Sequence, residues 1–210
     1  MEILSAVPQG WGRARARGVQ LASSALLLLM AAAATPARSA PAYSEEAVKA
    51  AYLYRFTQYI EWPESTPAGM PFTIAVMDAP GVAAELRRLL PNHTIKNAVA
   101  QVREISRVQD LGAAQVLYIG TSKIDRVRDA IAVIAARPVL AVTDAERGLA
   151  TGSVLNFVLL EHRVRFEVSL TAAERSRLRI SAELLGVATR VQSSDHQTGV
   201  ARAPGNQAGY

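Results

Sequence analysis

The sequence predicts an α/β protein with a mostly parallel central sheet flanked by helices and an antiparallel hairpin near its C-terminal end. Short apolar runs, "FTIAV" (72–76), "QVLYIG" (115–120) and "PVLAVTD" (138–144), read as strands buried on both faces, and helical stretches at 81–90 and 122–136 alternate with them. That alternation implies right-handed βαβ units, because parallel neighbours need a crossover and a helix usually supplies it. After Gly148 the pattern changes: "SVLNFVLL" (153–160) and "RVRFEVSL" (163–170) are separated only by Glu161 and His162, which is too little for a crossover and closes a hairpin instead.

The chain begins in a different style. Arg13, Arg15 and Arg17 precede the uncharged run "GVQLASSALLLLMAAAAT", followed by small residues around Ala37 and Ser39, so residues 1–39 read as a secretory signal and the protein is expected in the periplasm. The apolar run is short for a membrane span and gives way to Pro36 and Arg38, so no stable membrane insertion is expected after cleavage. Cysteine is absent, which excludes a lipid anchor at the cleavage site, disulfides, a thiol nucleophile and cysteine metal sites. Four Arg and one Glu lie in 1–39, so the formal net charge of +5 falls to +2 without them. The basic balance therefore gives little reason to expect a nucleic-acid partner.

Residues 40–191 are read as one domain. From Ser44 to Ile60 the apolar residues Val48, Tyr52, Phe56, Tyr59 and Ile60 recur at helical spacing, Ser44 is a suitable N-cap, and Glu45 and Glu46 suit the helix dipole. Trp62-Pro63 stops the helix, because the residue before a proline is pushed out of the α region. Tyr52, Phe56 and Tyr59 are core candidates, while Tyr54 and Trp62 fit either core or surface. "AVAQVREI" (98–105) is a further strand. In the hairpin, Val164, Phe166, Val168 and Leu170 alternate with Arg163, Arg165, Glu167 and Ser169, which places the hairpin at a sheet edge with one polar face. Thr171 with Glu174 reads as a capping box for a last helix carrying Leu178, Leu184, Leu185 and Val191, with a break around "LRIS". Residues 192–210 read as a disordered tail.

No GxGxxG, P-loop, HExxH or GxSxG pattern occurs, and His93, His162 and His196 have no metal-ligand spacing. The expectation is a non-enzyme with no cofactor and no metal. Asp78 and Asp144 each follow a strand at its carboxyl end, where open α/β sheets place ligand crevices, and Thr121 in "GTSK" could add helix N-terminal donors. Ordinary turn and capping roles compete with that crevice. Arg163, Arg165 and Glu167 form either a solvated edge or a recognition surface. Asn156, polar inside an apolar strand, either touches a partner or satisfies buried backbone groups.

Several phrases together, "KAAYLYRFTQYIEWPE", "FTIAVMD", "ARPVLAVTDAERGLATGSVLNFVLLEHRVRFEVSL" and "LRISAELLGVATRV", resemble the YfiR-like periplasmic proteins across about residues 44–191. The resemblance implies a regulator that binds and represses the periplasmic sensory part of an inner-membrane protein, a diguanylate cyclase first and a sensor kinase as the other partner class, so that release raises cyclic di-GMP and promotes biofilm formation. Trp62, Asn156, Arg163, Arg165 and Glu167 are its partner-contact or fold-defining candidates. It carries no redox control over to a chain without Cys, and Ser169 stands where relatives commonly have Asn. A homodimer is left open. The alternative is a periplasmic small-ligand receptor using the crevice near Asp78, Thr121 and Asp144.

Overall fold

The computed structural model describes residues 43–63, 69–120 and 123–193, so the leader, Thr121 and most of the tail lie outside the described residues. The chain divides after Ala42 into two units, and the described residues belong to the second. Helix α1 spans Glu45–Tyr59, with the Ser44 hydroxyl accepting from Ala47 N at 3.2 Å. A two-residue strand β1 (Ile60–Glu61) follows it directly. Strand β2 (Phe72–Met77), helix α2 (Pro80–Leu89) and strand β4 (Ala98–Ile105) make the first crossover unit, with the short β3 (Thr94–Ile95) turned back onto β4. Lys96 and Asn97 make that turn with φ of 50° and 65°, the paired left-handed geometry that two-residue hairpins favour. Strand β5 (Val116–Ile119), helix α3 (Ile124–Val133) and strand β6 (Leu140–Thr143) form the second unit. The hairpin is β7 (Leu155–Leu160) and β8 (Arg163–Ser169), joined by Glu161 and His162, again both left-handed at φ 49° and 60°.

The main sheet runs β10-β8-β7-β6-β5-β2-β4-β3, where β10 is the short strand Arg190–Gln192. Strands β4, β2, β5, β6 and β7 are parallel neighbours, while β8 and β3 run against them. From β2 the first crossover moves to one side, and from β5 the second moves to the other. With crossovers of one hand, that reversal puts α2 and α3 on opposite faces. The packing agrees: Val82, Ala83 and Leu86 of α2 share a core with α1, whereas Val127, Ala130 and Ile134 around α3 build a second core on the other face. Strands β2, β5 and β6 are buried along their whole length, which is why they read as continuous apolar runs.

Two expectations are corrected. Strand β8 is not the outermost: β10 (Arg190–Gln192) pairs with it in parallel, Arg190 opposite Glu167 and Gln192 opposite Ser169. The expected last helix is two short ones, α4 (Leu170–Arg175) and α5 (Ala182–Val187), separated by strand β9 (Arg179–Ile180), which pairs antiparallel with β1. The break follows from Arg177, whose φ of 56° ends α4 in a left-handed turn while Leu178 drops into the core. Each helix starts on its own serine: Ser169, rather than Thr171, caps α4 by accepting from Ala172 N, and Ser181 caps α5 by accepting from Leu184 N.

Candidate functional site

The hairpin has two unlike faces. Val164, Phe166 and Val168 turn into the core under α1, where Phe166 meets Phe56 edge-on at 4.9 Å and Tyr52 at 5.6 Å. Period-two alternation therefore puts Arg163, Arg165 and Glu167 on the opposite face. Their cross-strand partners there are Leu160, Val158 and Asn156. Toward the hairpin tip this face is uncovered: Arg163, Arg165 and Leu160 are exposed and Val158 is half-buried. Among the described residues neither Arg163 nor Arg165 meets a carboxylate, while Glu167 lies 3.9 Å from Arg190 of β10. The result is a strand face with two uncompensated cations beside two aliphatic side chains, which suits an acidic partner surface with some apolar character.

Asn156 sits at the inner end of the same face but is 1% exposed, which removes it from any contact surface. With its amide oriented donor to acceptor, the nitrogen donates to Thr143 O at 3.1 Å and Ala145 O at 3.2 Å, stitching β7 to the end of β6. Of the two sequence readings, the structure supports satisfaction of buried backbone carbonyls. The fit is tight enough to require Gly148, since a Cβ there would overlap the Asn156 carboxamide and lie 2.5 Å from Thr143 Cγ2. Trp62 is half-buried, edge-on to Phe72 at 5.2 Å, and its indole N–H donates to Gln115 O at 3.3 Å, so it closes the lower end of the sheet. Tyr54 also packs, edge-on to His93 at 5.5 Å.

The crevice residues are not brought together. Asp78 and Asp144 end β2 and β6, which β5 separates, and they turn to opposite faces of the sheet. Asp78 receives Arg126 of α3 in a two-pronged ion pair, and the same guanidinium donates to Ser106 O at 2.9 Å. Asp144 faces α1. Between the ends of β2 and β5 a Cβ on Gly120 would lie 2.5 Å from that of Ala79, so the strand ends close on each other there. Thr121 lies outside the described residues.

A side chain that apolar periodicity does not single out makes the least exposed ion pair among the described residues. Lys49, 9% exposed, occupies the buried stripe of α1 with Leu53 and Phe56. Its ammonium donates to Asp144 Oδ2 at 2.5 Å and lies 2.6 Å from Glu45, one helical turn back. The Tyr118 hydroxyl donates to the same Asp144 oxygen at 2.8 Å. Burial opposes the lysine charge, but Asp144 and Glu45 outweigh it and hold its pKa above the ordinary lysine value. Burial first, and then the Asp144 charge, push the Tyr118 phenol far up, so it stays a neutral donor. The cluster pins α1 to the sheet. Counting apolar periodicity passes over a lysine; the signal for it was Glu45 at i−4 and Asp144 at a strand end.

On its outer side α1 forms a groove of about 570 Å³ with α2, lined by Tyr43, Ala47, Val48, Ala51 and Tyr52 and by Leu89. No group of three or more His, Cys, Asp or Glu residues arranged to hold a metal occurs among the described residues, and none of their helices is long and apolar enough to cross a membrane.

No curated protein matches the chain. A solved structure, a conserved domain protein from Vibrio cholerae O1 biovar El Tor, is similar at 12% identity and a TM-score of 0.45, over 71% of this chain and 60% of that one. The chain thus spans less than two thirds of that protein's length. A family model described as YfiR/HmsC-like matches residues 46–189, from the first turn of α1 to the residue before β10. That span holds the aromatic helix, both crossover units and the hairpin, and the chain belongs to the YfiR/HmsC-like family.

Proposed function

We propose that the protein is exported by its leader to the periplasm, binds the sensory part of an inner-membrane diguanylate cyclase there, and holds it inactive. Release then raises cyclic di-GMP and promotes biofilm formation. Family membership across residues 46–189 carries the reading, because YfiR/HmsC-like proteins are known as periplasmic regulators of cyclic di-GMP signalling and are regulatory rather than catalytic. The unpaired Arg163 and Arg165 beside Leu160 support a docking role for the outer hairpin face. Mechanistically this is a binding equilibrium: the regulator favours one conformation of the sensor, and it shifts the population only by its difference in affinity for the two.

The test is cellular. Deleting the gene should raise cyclic di-GMP, the wild-type gene should restore the low level, and Arg165→Glu should not, although the variant protein accumulates normally. A cyclic di-GMP level that deletion leaves unchanged contradicts the proposal.

A further inference from the structure

We propose that the groove between α1 and α2 is a binding site for a long-chain fatty carboxylate, with the chain in the trough and the carboxylate on Arg55. Size, shape and charge point the same way. The groove's volume of about 570 Å³ is that of a small-molecule site. Three of the α1 residues that border it are alanines, Ala47, Ala50 and Ala51, which carry no long side chain into the space. Along α1 the lining runs from Ala47 to Arg55, about 12 Å at 1.5 Å per residue, and Tyr43, two residues ahead of the helix, extends it at that end. An acyl chain filling half of a bilayer's hydrocarbon core extends about 15 Å, so one chain fits lengthwise.

The charges at the rim are unequal. Arg88 is held by Glu85 at 2.5 Å. Arg55 is exposed on the same lining and meets no carboxylate among the described residues. Lys49 does not compete for the ligand, because its ammonium is committed to Glu45 and Asp144 on the sheet side of α1. A neutral hydrocarbon would leave Arg55 unused, and a polar metabolite would leave the apolar trough unused. An aliphatic chain ending in one negative group uses both. The inference stands on the groove alone and does not depend on the identity of any membrane partner.

The experiment uses protein purified after expression of the full-length chain. A fluorescent fatty-acid analogue, dansyl-undecanoate, is titrated in and displaced with palmitate, and hexadecanol serves as the uncharged comparison. Wild type should bind palmitate saturably. Ala51→Trp, which fills the trough from an exposed helix position, should weaken it at least about tenfold at an unchanged melting temperature. Arg55→Leu should weaken palmitate roughly fivefold and leave hexadecanol unchanged, as expected for one solvent-exposed charge pair. Absence of saturable palmitate binding to wild type overturns the proposal, as does full binding by a folded Ala51→Trp. Equal loss of palmitate and hexadecanol in Arg55→Leu overturns the carboxylate assignment. If wild type ignores palmitate while Ala51→Trp abolishes cross-linking to an inner-membrane protein, the groove takes a partner helix and the proposal fails.

Discussion

Replacing Lys49 by Met tests whether the ion cluster under α1 holds the helix on the sheet. The lysine side chain is 11% exposed and contacts two carboxylates, Asp144 at 22% exposure and Glu45 at 47%. Breaking a buried pair by removing one partner costs about 3–5 kcal/mol, whereas an exposed pair is worth about 0–1 kcal/mol. The Glu45 leg lies near the exposed limit and the Asp144 leg nearer the buried one. Methionine keeps most of the packing of the lysine stem, so the loss falls mainly on stranding Asp144 with Tyr118 as its remaining donor. A destabilisation of about 2–3 kcal/mol is expected, read as a lower urea midpoint at constant m. Asp144→Asn alone should cost about 2 kcal/mol, and the double variant should cost at least about 1 kcal/mol less than the two losses added together. Additive losses, or a loss below about 0.5 kcal/mol for Lys49→Met, refute the reasoning.

The same cluster sets an alkaline limit on stability. Lys49 and Tyr118 both hold their protons more tightly in the folded protein, so their contribution is complete below the ordinary pKa values near about 10 and is lost as pH rises through the folded ones. Melting temperature should fall above about pH 10, and less steeply in a Lys49→Met/Tyr118→Phe variant; equal slopes speak against the cluster. Gly148→Ala should cost about 1–3 kcal/mol in chemical denaturation, because the methyl must displace Asn156 and Thr143. Trp62→Phe keeps the edge contact with Phe72 but loses the bond to Gln115 O, a loss of about 1 kcal/mol by the same assay. Arg165→Glu should leave the melting temperature within the small range of surface changes while abolishing partner capture; an unfolded variant would make the residue structural.

Much of this fold was legible because it is built from strong local signals. Continuous apolar runs gave β2, β5 and β6, and a two-residue link gave the hairpin. What stayed hidden depends on contacts distant in sequence. Strands β9 and β10 are two and three residues long and exist because they pair with β1 and β8, so neither carries a period of its own. Leu178 and Val191 looked alike as apolar residues of one helix, yet the first is 4% exposed in the core and the second 41% exposed on the sheet edge. The crevice reading failed to assemble because it rested on the position of aspartates along the chain. Strand order, which the sequence does not spell out, put β5 between them, and the left-handed backbone at Asp78, φ 58°, breaks the strand alternation so that its carboxylate meets Arg126 of α3 while Asp144 meets Lys49 of α1. The arginine row was readable from simple alternation, and its exposure follows the expected polar face.

The claim that the outer hairpin face docks onto a membrane sensor is tested most directly by placing a photo-crosslinking amino acid at position 165 and irradiating intact cells. An adduct with an inner-membrane protein bearing a periplasmic sensory segment is expected from position 165, and none from a control position on the opposite face of the sheet such as the exposed Gln58 of α1. Uncrosslinked protein at position 165, in cells where the regulator is present in the periplasm and cyclic di-GMP is low, would contradict it.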